Sequence, residues 1–133
     1  MKGETSKFLL TQNFRVGGED RSFAQKIEVT EIEKRDRYLK YREDMEGHRL
    51  DVVLRIGDDF IKIQRSGIVS MKFTFVEGEM TDTFYESAAG RHHFKLYTKA
   101  LLIESDRVII EYDLYEQGQL LGNYHYKLER EGY

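Results

Sequence analysis

The stretch "YLKYREDMEGHRLDVVLRIGDDFIKIQRSG", residues 38–67, decides the fold class, because apolar and polar residues alternate along most of it. Such alternation places every second side chain on one face, the pattern of a half-buried β-strand. Two interruptions, "EG" at 46–47 and "GD" at 57–58, consist of residues typical of tight turns. The stretch therefore predicts three antiparallel strands, joined by two-residue turns, with one apolar face.

The same alternation continues on both sides of this stretch. Turn-like residues recur as "GGED" at 17, "SG" at 66, "EG" at 77, "AAG" at 88, "SD" at 105 and "QG" at 117. The segments between them are rich in Val, Ile, Thr, Tyr and Phe, which favour strands. We therefore predict an all-β chain forming a single domain over residues 1–133, an antiparallel up-and-down barrel of about 8–10 strands.

One segment allows a helical alternative. Residues 21–46 contain no Gly or Pro, and Phe23, Ile27, Tyr38, Tyr41 and Met45 recur at roughly helical intervals. The β-branched cluster "IEVTEI" and the turn-like "KRDR" favour two strands instead. We adopt the strand interpretation and keep the helix as the alternative.

Turn lengths predict which residues face inward together, because cross-strand partners share a face. Two-residue turns at 46–47 and 57–58 give three rows: Leu39, Leu54 and Ile61; Tyr41, Val52 and Ile63; Glu43, Leu50 and Arg65. A three-residue turn around Gly67 sets Val69, Met71 and Phe73 opposite Arg65, Ile63 and Ile61. The turn at Gly78 leaves open whether Phe84 or Tyr85 points inward. The last strands give four rows: Leu96 and Leu114; Thr98, Tyr112 and Tyr124; Ala100, Ile110 and Tyr126; Leu102, Val108 and Leu128.

Composition excludes several classes of function. Lys and Arg total 21 against 24 Asp and Glu, the formal net charge is −3, and the cations are scattered, so a nucleic-acid partner is not expected. Cysteine is absent, which removes disulfides and thiolate chemistry. The apolar run at residues 8–10 is too short for a signal sequence or membrane span. A soluble cytoplasmic protein without a membrane partner is the expectation.

The adjacent histidines at 92 and 93 suggest a metal site at first sight. Neighbouring strand residues point to opposite faces, so His92 is expected inside and His93 outside. His48 and His125 lack an accompanying ligand pattern. We expect no metal and no cofactor.

Several motifs resemble the Bacillus YwiB-like family of uncharacterised bacterial proteins, over about residues 7 to 130. The most specific are "IQRSGIVSMKFTFVEGEMTDTFYESAAG", "IEVTEIEKRDRYLKYRED" and "VIIEYDLYEQGQLL". Within them or beside them stand the shared residues Arg65, Gly67, Phe75, Gly78, Tyr85, Gly90, Thr98, Tyr112 and Leu114. The resemblance implies a calycin-like, lipocalin-type barrel in the cytoplasm, and it implies no activity.

The inward residues suggest a small-molecule binder. Apolar pockets with a few placed polar groups typify ligand sites, and Arg65 is suited to grip a carboxylate or phosphate. The candidate ligand-binding residues are Arg65, Glu43, Tyr41, Tyr85, His92, Thr98, Tyr112, Tyr124 and Tyr126. We expect a non-enzymatic binder of a small amphipathic or anionic ligand in the lumen.

Three other interpretations stay open. Glu43 and Arg65 can form an ion pair that closes a filled barrel, since an inward charge needs a partner. An enzyme can use Glu43 and His92, although no catalytic motif is present. An interaction module, including a homodimer, can use outward apolar residues: Leu9, Val53, Tyr97, Leu101 and Ile103.

Overall fold

The computed structural model describes residues 3–131, apart from the side chain of Met45. It contains ten strands: β1 (Glu4–Val16), β2 (Glu19–Glu33), β3 (Arg37–Met45), β4 (His48–Ile56), β5 (Ile61–Ser66), β6 (Ser70–Phe75), β7 (Met80–Ser87), β8 (Gly90–Ile103), β9 (Arg107–Glu116) and β10 (Gln119–Arg130). Each strand is antiparallel to the next, and β1 also pairs with β10, which closes the barrel. The predicted all-β up-and-down barrel is confirmed, and the helical alternative for residues 21–46 is wrong because β2 and β3 occupy them.

The middle of the barrel is filled by its own side chains. Leu54, Ile61, Leu96 and Ile110 face inward from four strands, and each is 0% exposed. The interior of a small barrel is either filled by its own side chains or wide enough for one small ligand, and the complete burial of these four residues indicates the filled case here. The expected lumen pocket is therefore absent from the centre of the described barrel, and a ligand site would have to lie at an end or in the wall.

Two predicted registers on either side of β5 are wrong by two residues. Arg65 lies opposite Val52 and Met71, whereas Glu43 lies opposite Leu50. The cause in the first case is that the β4–β5 connection has four residues, 57–60, closed by the Gly57 N–H donating to the carbonyl of Phe60 at 2.9 Å. A shift by two preserves which face each side chain points to, so the inward set stays as expected.

The predicted two-residue turn at 46–47 is confirmed. Met45 pairs with His48, and Glu46 and Gly47 both have positive φ, as a tight hairpin turn requires. The open question at Gly78 is answered in favour of Tyr85, which lies opposite the inward residue Met71. Phe84 accordingly points outward.

A β-bulge in β8 overturns the predicted facing of its last residues. Pairing shifts between Thr98 and Ala100, so that Leu101 lies opposite Ile110 and Ile103 lies opposite Val108. One extra residue in a strand inverts the alternation beyond it. Leu101 and Ile103 therefore pack against the core, while Ala100 and Leu102, which we expected inside, do not.

The barrel wall is incomplete between β2 and β3. These strands pair only from Thr30 opposite Lys40 to Glu33 opposite Arg37. Beyond that point they separate, and a cleft of about 830 Å³ opens between them, lined in part by Ile27, Tyr41 and Val52. The edge of β2 from residue 19 to 29 consequently has no strand partner in the described structure other than β1.

Candidate functional site

Glu43 and Arg65 form an ion pair near one end of the barrel, which we call the Arg65 end. The Nε of Arg65 donates to Oε1 of Glu43 at 2.7 Å, although Leu50 and Val52, rather than each other, are their strand neighbours. The two side chains are 8% and 16% exposed. Glu43 and Arg65 therefore contact each other as predicted, but they do so from neighbouring rows of the sheet and not from the same row.

The pair leaves several polar atoms without partners. Oε2 of Glu43 is buried with no hydrogen-bond donor among the described residues. No protein acceptor in the described structure bonds to the two terminal nitrogens of Arg65, whose only partner there is Glu43 through Nε. Burial is the largest influence and disfavours the Arg65 cation, but the combined attraction of Glu43 and the oxygens of the nearby tyrosines outweighs it and raises the pKa of Arg65. Arg65 is therefore a permanent cation with unused donors.

Two tyrosines pack beside this ion pair. The hydroxyls of Tyr41 and Tyr126 lie 2.9 Å apart, and both side chains are buried. Burial raises the pKa of each above the ordinary value, opposed by the nearby charge of Arg65. Burial likewise raises the pKa of Tyr112 to about 12, again opposed by Arg65. The tyrosines are therefore neutral hydroxyl groups around a cation.

An aromatic ladder, consisting of Phe23, Phe14, Tyr124 and Tyr112, leads from the surface toward Arg65. Successive ring centroids lie 5.7, 5.8 and 5.0 Å apart, and each pair is stacked. Phe23 is 54% exposed, whereas Tyr112 is 8% exposed. Stacking of this kind adds to the stabilisation from burial, and the partly exposed rings of Phe23, Phe14 and Tyr124 give the barrel mouth an apolar lining.

Phe73 completes the inner end of the ladder. Its ring lies 6.4 Å from that of Tyr112 and 5.5 Å from the guanidinium carbon of Arg65. Arg65, Phe73 and Tyr112 keep 6–8% exposure, unlike the fully buried residues beneath them. Because they keep this small exposed area at the Arg65 end, we call these three residues the floor of the barrel mouth. None of the four cavities described has Arg65 in its lining.

The structure separates the other expected ligand residues from this floor. Thr98 is 0% exposed and its hydroxyl has no partner among the described residues, so it lies beneath the mouth. Tyr85 pairs with His92 across β7 and β8, with their rings 6.3 Å apart. Met71 stands between Arg65 and Tyr85 in the same row. Tyr85 and His92 therefore lie two and three strands away from Arg65 in this row, and neither forms a hydrogen bond with the ion pair in the described structure.

The histidines form neither a metal site nor an acid–base pair with Glu43 in the described structure. His92 shares the inward parity of Leu96 but is exposed at the rim, and His93 points outward, bonded to Asp82 at 2.7 Å. The described residues contain no group of three His, Asp or Glu side chains placed to bind a metal ion. Glu43 accepts a hydrogen bond from Arg65, and no hydrogen bond joins it to His92 in the described structure. The enzyme interpretation gains no geometric support.

A second charged cluster, which we call the Arg37 cluster, closes the opposite end of the barrel. Glu31 accepts from Nε of Arg37 at 2.9 Å and from Arg130 at 2.7 Å, so both of its oxygens are used. Arg37 also donates to the carbonyls of Glu104 and Ser105 at 3.1 and 2.9 Å. All three nitrogens of the Arg37 guanidinium thus have protein partners.

The residues predicted from the sequence do not include this cluster, although the alternation of inward and outward side chains pointed to it. Glu31, Arg37 and Arg130 lie two residues from the inward residues Val29, Leu39 and Leu128, respectively. The rows that we derived covered only part of each strand. Extending the alternation by one step would have placed all three side chains inside.

The outward apolar face proposed for an interaction module is reduced by the bulge in β8. Leu101 and Ile103 pack against the core, which leaves Leu9, Val53 and Tyr97 from the original set, each half-buried. These three residues lie on strands β1, β4 and β8, which are not neighbours in the barrel. The structure therefore does not assemble the expected patch.

Comparison with known proteins places the chain among uncharacterised β-barrels. A family model described as a domain of unknown function (DUF1934) matches residues 9–128. The uncharacterized β-barrel protein YwiB of Bacillus subtilis (strain 168) is 28% identical over 82 residues, which span 59% of this chain and 58% of that protein. The crystal structure of ywiB protein from Bacillus subtilis superposes with a TM-score of 0.77 at 20% identity, covering 99% of this chain and 95% of that one. Residues 3–131 include no helix capable of spanning a membrane.

Proposed function

Because the chain belongs to the DUF1934 family, whose description names no activity, we propose a function from the geometry of the Arg65 end: binding of a small amphipathic ligand. Its apolar part would pack against the partly exposed rings of the aromatic ladder, and its anionic group would contact Arg65. The observation that carries the proposal is the convergence of the ladder on a cation whose terminal nitrogens have no described protein partner. This site is a mouth, and the filled centre limits how deeply a ligand enters.

The chemistry of the floor supports an anion with an aromatic body. A guanidinium with free donors binds carboxylate, sulfonate or phosphate groups through charge-assisted hydrogen bonds. Neutral hydroxyls of tyrosines offer further donors without adding charge. The half-buried rings of Phe14 and Tyr124 supply apolar area, as in most small-molecule sites.

Fluorescence titration with two related dyes tests the proposal. Anilinonaphthalene sulfonate is an aromatic anion, and phenylnaphthylamine is its neutral counterpart. The protein is expected to bind the sulfonate saturably at one site. The double variant Glu43→Leu with Arg65→Met, which removes both charges together, should weaken sulfonate binding by about tenfold or more, because it removes a charge-assisted contact. Binding of the neutral dye should stay the same.

Arg91→Met is the matched control for loss of an arginine that contacts an aromatic ring. Arg91 is exposed, and its guanidinium lies 3.9 Å from the centroid of the outward-facing Phe84. This variant should bind both dyes as the unmodified protein does. Equal sulfonate affinity in the Glu43/Arg65 double variant would reject the proposal, as would failure of the unmodified protein to bind the sulfonate.

A further inference from the structure

The free edge of β2 is the feature that the proposed ligand site does not explain. Its pairing with β3 begins only at Thr30, and residues 19–26 are all exposed. Continuing the observed register would set Gln25 opposite Met45, the last residue of β3. Residues 19–24 therefore extend beyond the reach of β3, supported by β1 alone.

An unpaired strand edge of this length is a template for another strand. Its N–H and C=O groups are oriented for a sheet, and soluble proteins usually shorten, cover or charge such edges. We propose that the edge of β2 pairs with the same edge of a second copy of this chain, forming an antiparallel two-fold dimer. This interaction uses the backbone edge of β2, whereas the proposed ligand contacts Arg65; the two share one residue, Phe23, at the outer end of the aromatic ladder.

Charge complementarity selects the register of this pairing. In a two-fold antiparallel pair, residue i lies opposite j and j opposite i, so one residue on the axis faces its own copy. With Phe23 on the axis, Asp20 lies opposite Lys26 twice. Opposite charges directly across a strand pair are stabilising, and like charges are destabilising.

Neighbouring registers are less favourable. An axis through Ala24 sets Asp20 against Glu28, and an axis through Arg21 sets two guanidinium groups against each other. An axis through Ser22 leaves Asp20 opposite Ala24, without a charge partner. Only the axis through Phe23 among these four registers pairs opposite charges.

The charges that this register uses are weakly engaged within one chain. Oδ1 of Asp20 lies 3.8 Å from Nε of Arg15, and Nζ of Lys26 lies 3.9 Å from Oε1 of Glu131. Both distances are near the limit for an ion pair. Asp20 and Lys26 side chains are each 76% exposed. Exposed ion pairs contribute little, so re-pairing across the dimer costs little.

Charge exchange tests the interface by analytical ultracentrifugation over a range of concentrations. The unmodified protein should dimerise reversibly. Asp20→Lys and Lys26→Asp, each alone, place like charges opposite each other twice and should raise the dimer dissociation constant by about tenfold. The double variant restores opposite charges and should recover dimerisation. Lys62→Asp, a charge reversal at an exposed position on β5, is the control and should have no effect.

A cysteine test reads the register directly, because the unmodified chain has no cysteine. Phe23→Cys should form an intermolecular disulfide, since identical residues on the axis lie within disulfide reach. Ser22→Cys should not, because its copies would be offset diagonally by two residues.

Three results would overturn the proposal. The first is a monomer at every concentration. The second is dimerisation that is insensitive to both single charge reversals, which would assign the contact to another face. The third is efficient cross-linking of the Ser22→Cys variant with none of the Phe23→Cys variant, which would assign the contact to another register.

Discussion

The two ends of the barrel hold similar charged residues, but these residues differ in how many of their hydrogen-bonding groups have protein partners. Arg37 and Glu43 lie on the same face of β3, separated only by Leu39 and Tyr41. At the Arg37 end, one carboxylate holds two arginines, and every nitrogen of Arg37 has a protein acceptor. At the Arg65 end, a single bond joins one carboxylate to one arginine.

This difference indicates different roles for the same residue types. A buried charge must be paired to be tolerated, and a fully bonded cluster fixes the elements that it joins. The Arg37 cluster joins β2, β3, β10 and the β8–β9 turn, so it acts as a structural closure. The two terminal nitrogens of Arg65 donate to no described protein acceptor. We therefore expect ligand binding at the Arg65 end and a structural role at the Arg37 end.

Matched double variants at the two ends should differ most in their free energy of unfolding. Glu31→Leu with Arg37→Met leaves Arg130 without its carboxylate, so the free energy of unfolding should fall by about 4 kcal/mol. Glu43→Leu with Arg65→Met removes a complete pair, and the change should stay within about 1 kcal/mol in either direction. Urea denaturation measures both. Equal losses at the two ends would contradict the distinction.

Arg65→Ala should destabilise the protein by about 3 kcal/mol, because it leaves Glu43 largely buried and unpaired. Adding Glu43→Leu to this variant should recover most of the loss. A double-mutant cycle from urea unfolding curves gives the coupling energy of the pair. Additive effects of the two changes would show that the ion pair contributes no coupling.

Alkaline pH should weaken the Arg65 end selectively. The pKa of Tyr112 is raised in the folded protein to about 12, so its contribution to stability is complete below the unfolded value near 10 and decreases as pH rises through this window. The loss from Tyr112 alone amounts to roughly 2 kcal/mol by pH 12. Comparing Tyr112→Phe with the unmodified protein, by unfolding at several pH values, isolates this contribution. An identical pH dependence of the two proteins would contradict the assignment.

Tyr41→Phe should have the smallest effect, a loss of about 1 kcal/mol, because it removes one neutral hydrogen bond and leaves the Tyr126 hydroxyl without that partner. Thermal unfolding of Tyr41→Phe and of the Tyr41→Phe, Tyr126→Phe double variant provides the comparison. The double variant should be no less stable than the single one, since both buried hydroxyls are then gone. Further loss on removing the Tyr126 hydroxyl would count against this role for the pair.

Strand alternation in the sequence was sufficient for the fold class and most of the inward set. The predicted pairing of Arg65 was wrong by two residues on both sides, yet the prediction that its side chain points inward was correct, because side chains alternate with a period of two. The bulge after Thr98 inserts a single residue, so it reversed Leu101 and Ile103. Such a bulge has no distinct local sequence signature here.

The site was harder to foresee than the fold. The meeting of Glu43 and Arg65 followed from parity, but the stacking of Phe14 on Tyr124 depends on closure of β1 against β10, residues far apart in the chain. The cleft between β2 and β3 depends on how far two strands stay paired. Neither closure nor strand separation is encoded in local alternation.

Side-chain NMR of arginine in the unmodified protein tests the central distinction most directly. Rotation of each guanidinium and hydrogen exchange of its terminal N–H groups report whether those nitrogens are held. Arg37 should show restricted rotation and slow exchange at both terminal nitrogens. Arg65 should show protection at Nε only, with slower terminal exchange once anilinonaphthalene sulfonate is added. Equal protection of Arg37 and Arg65 without ligand would contradict the account.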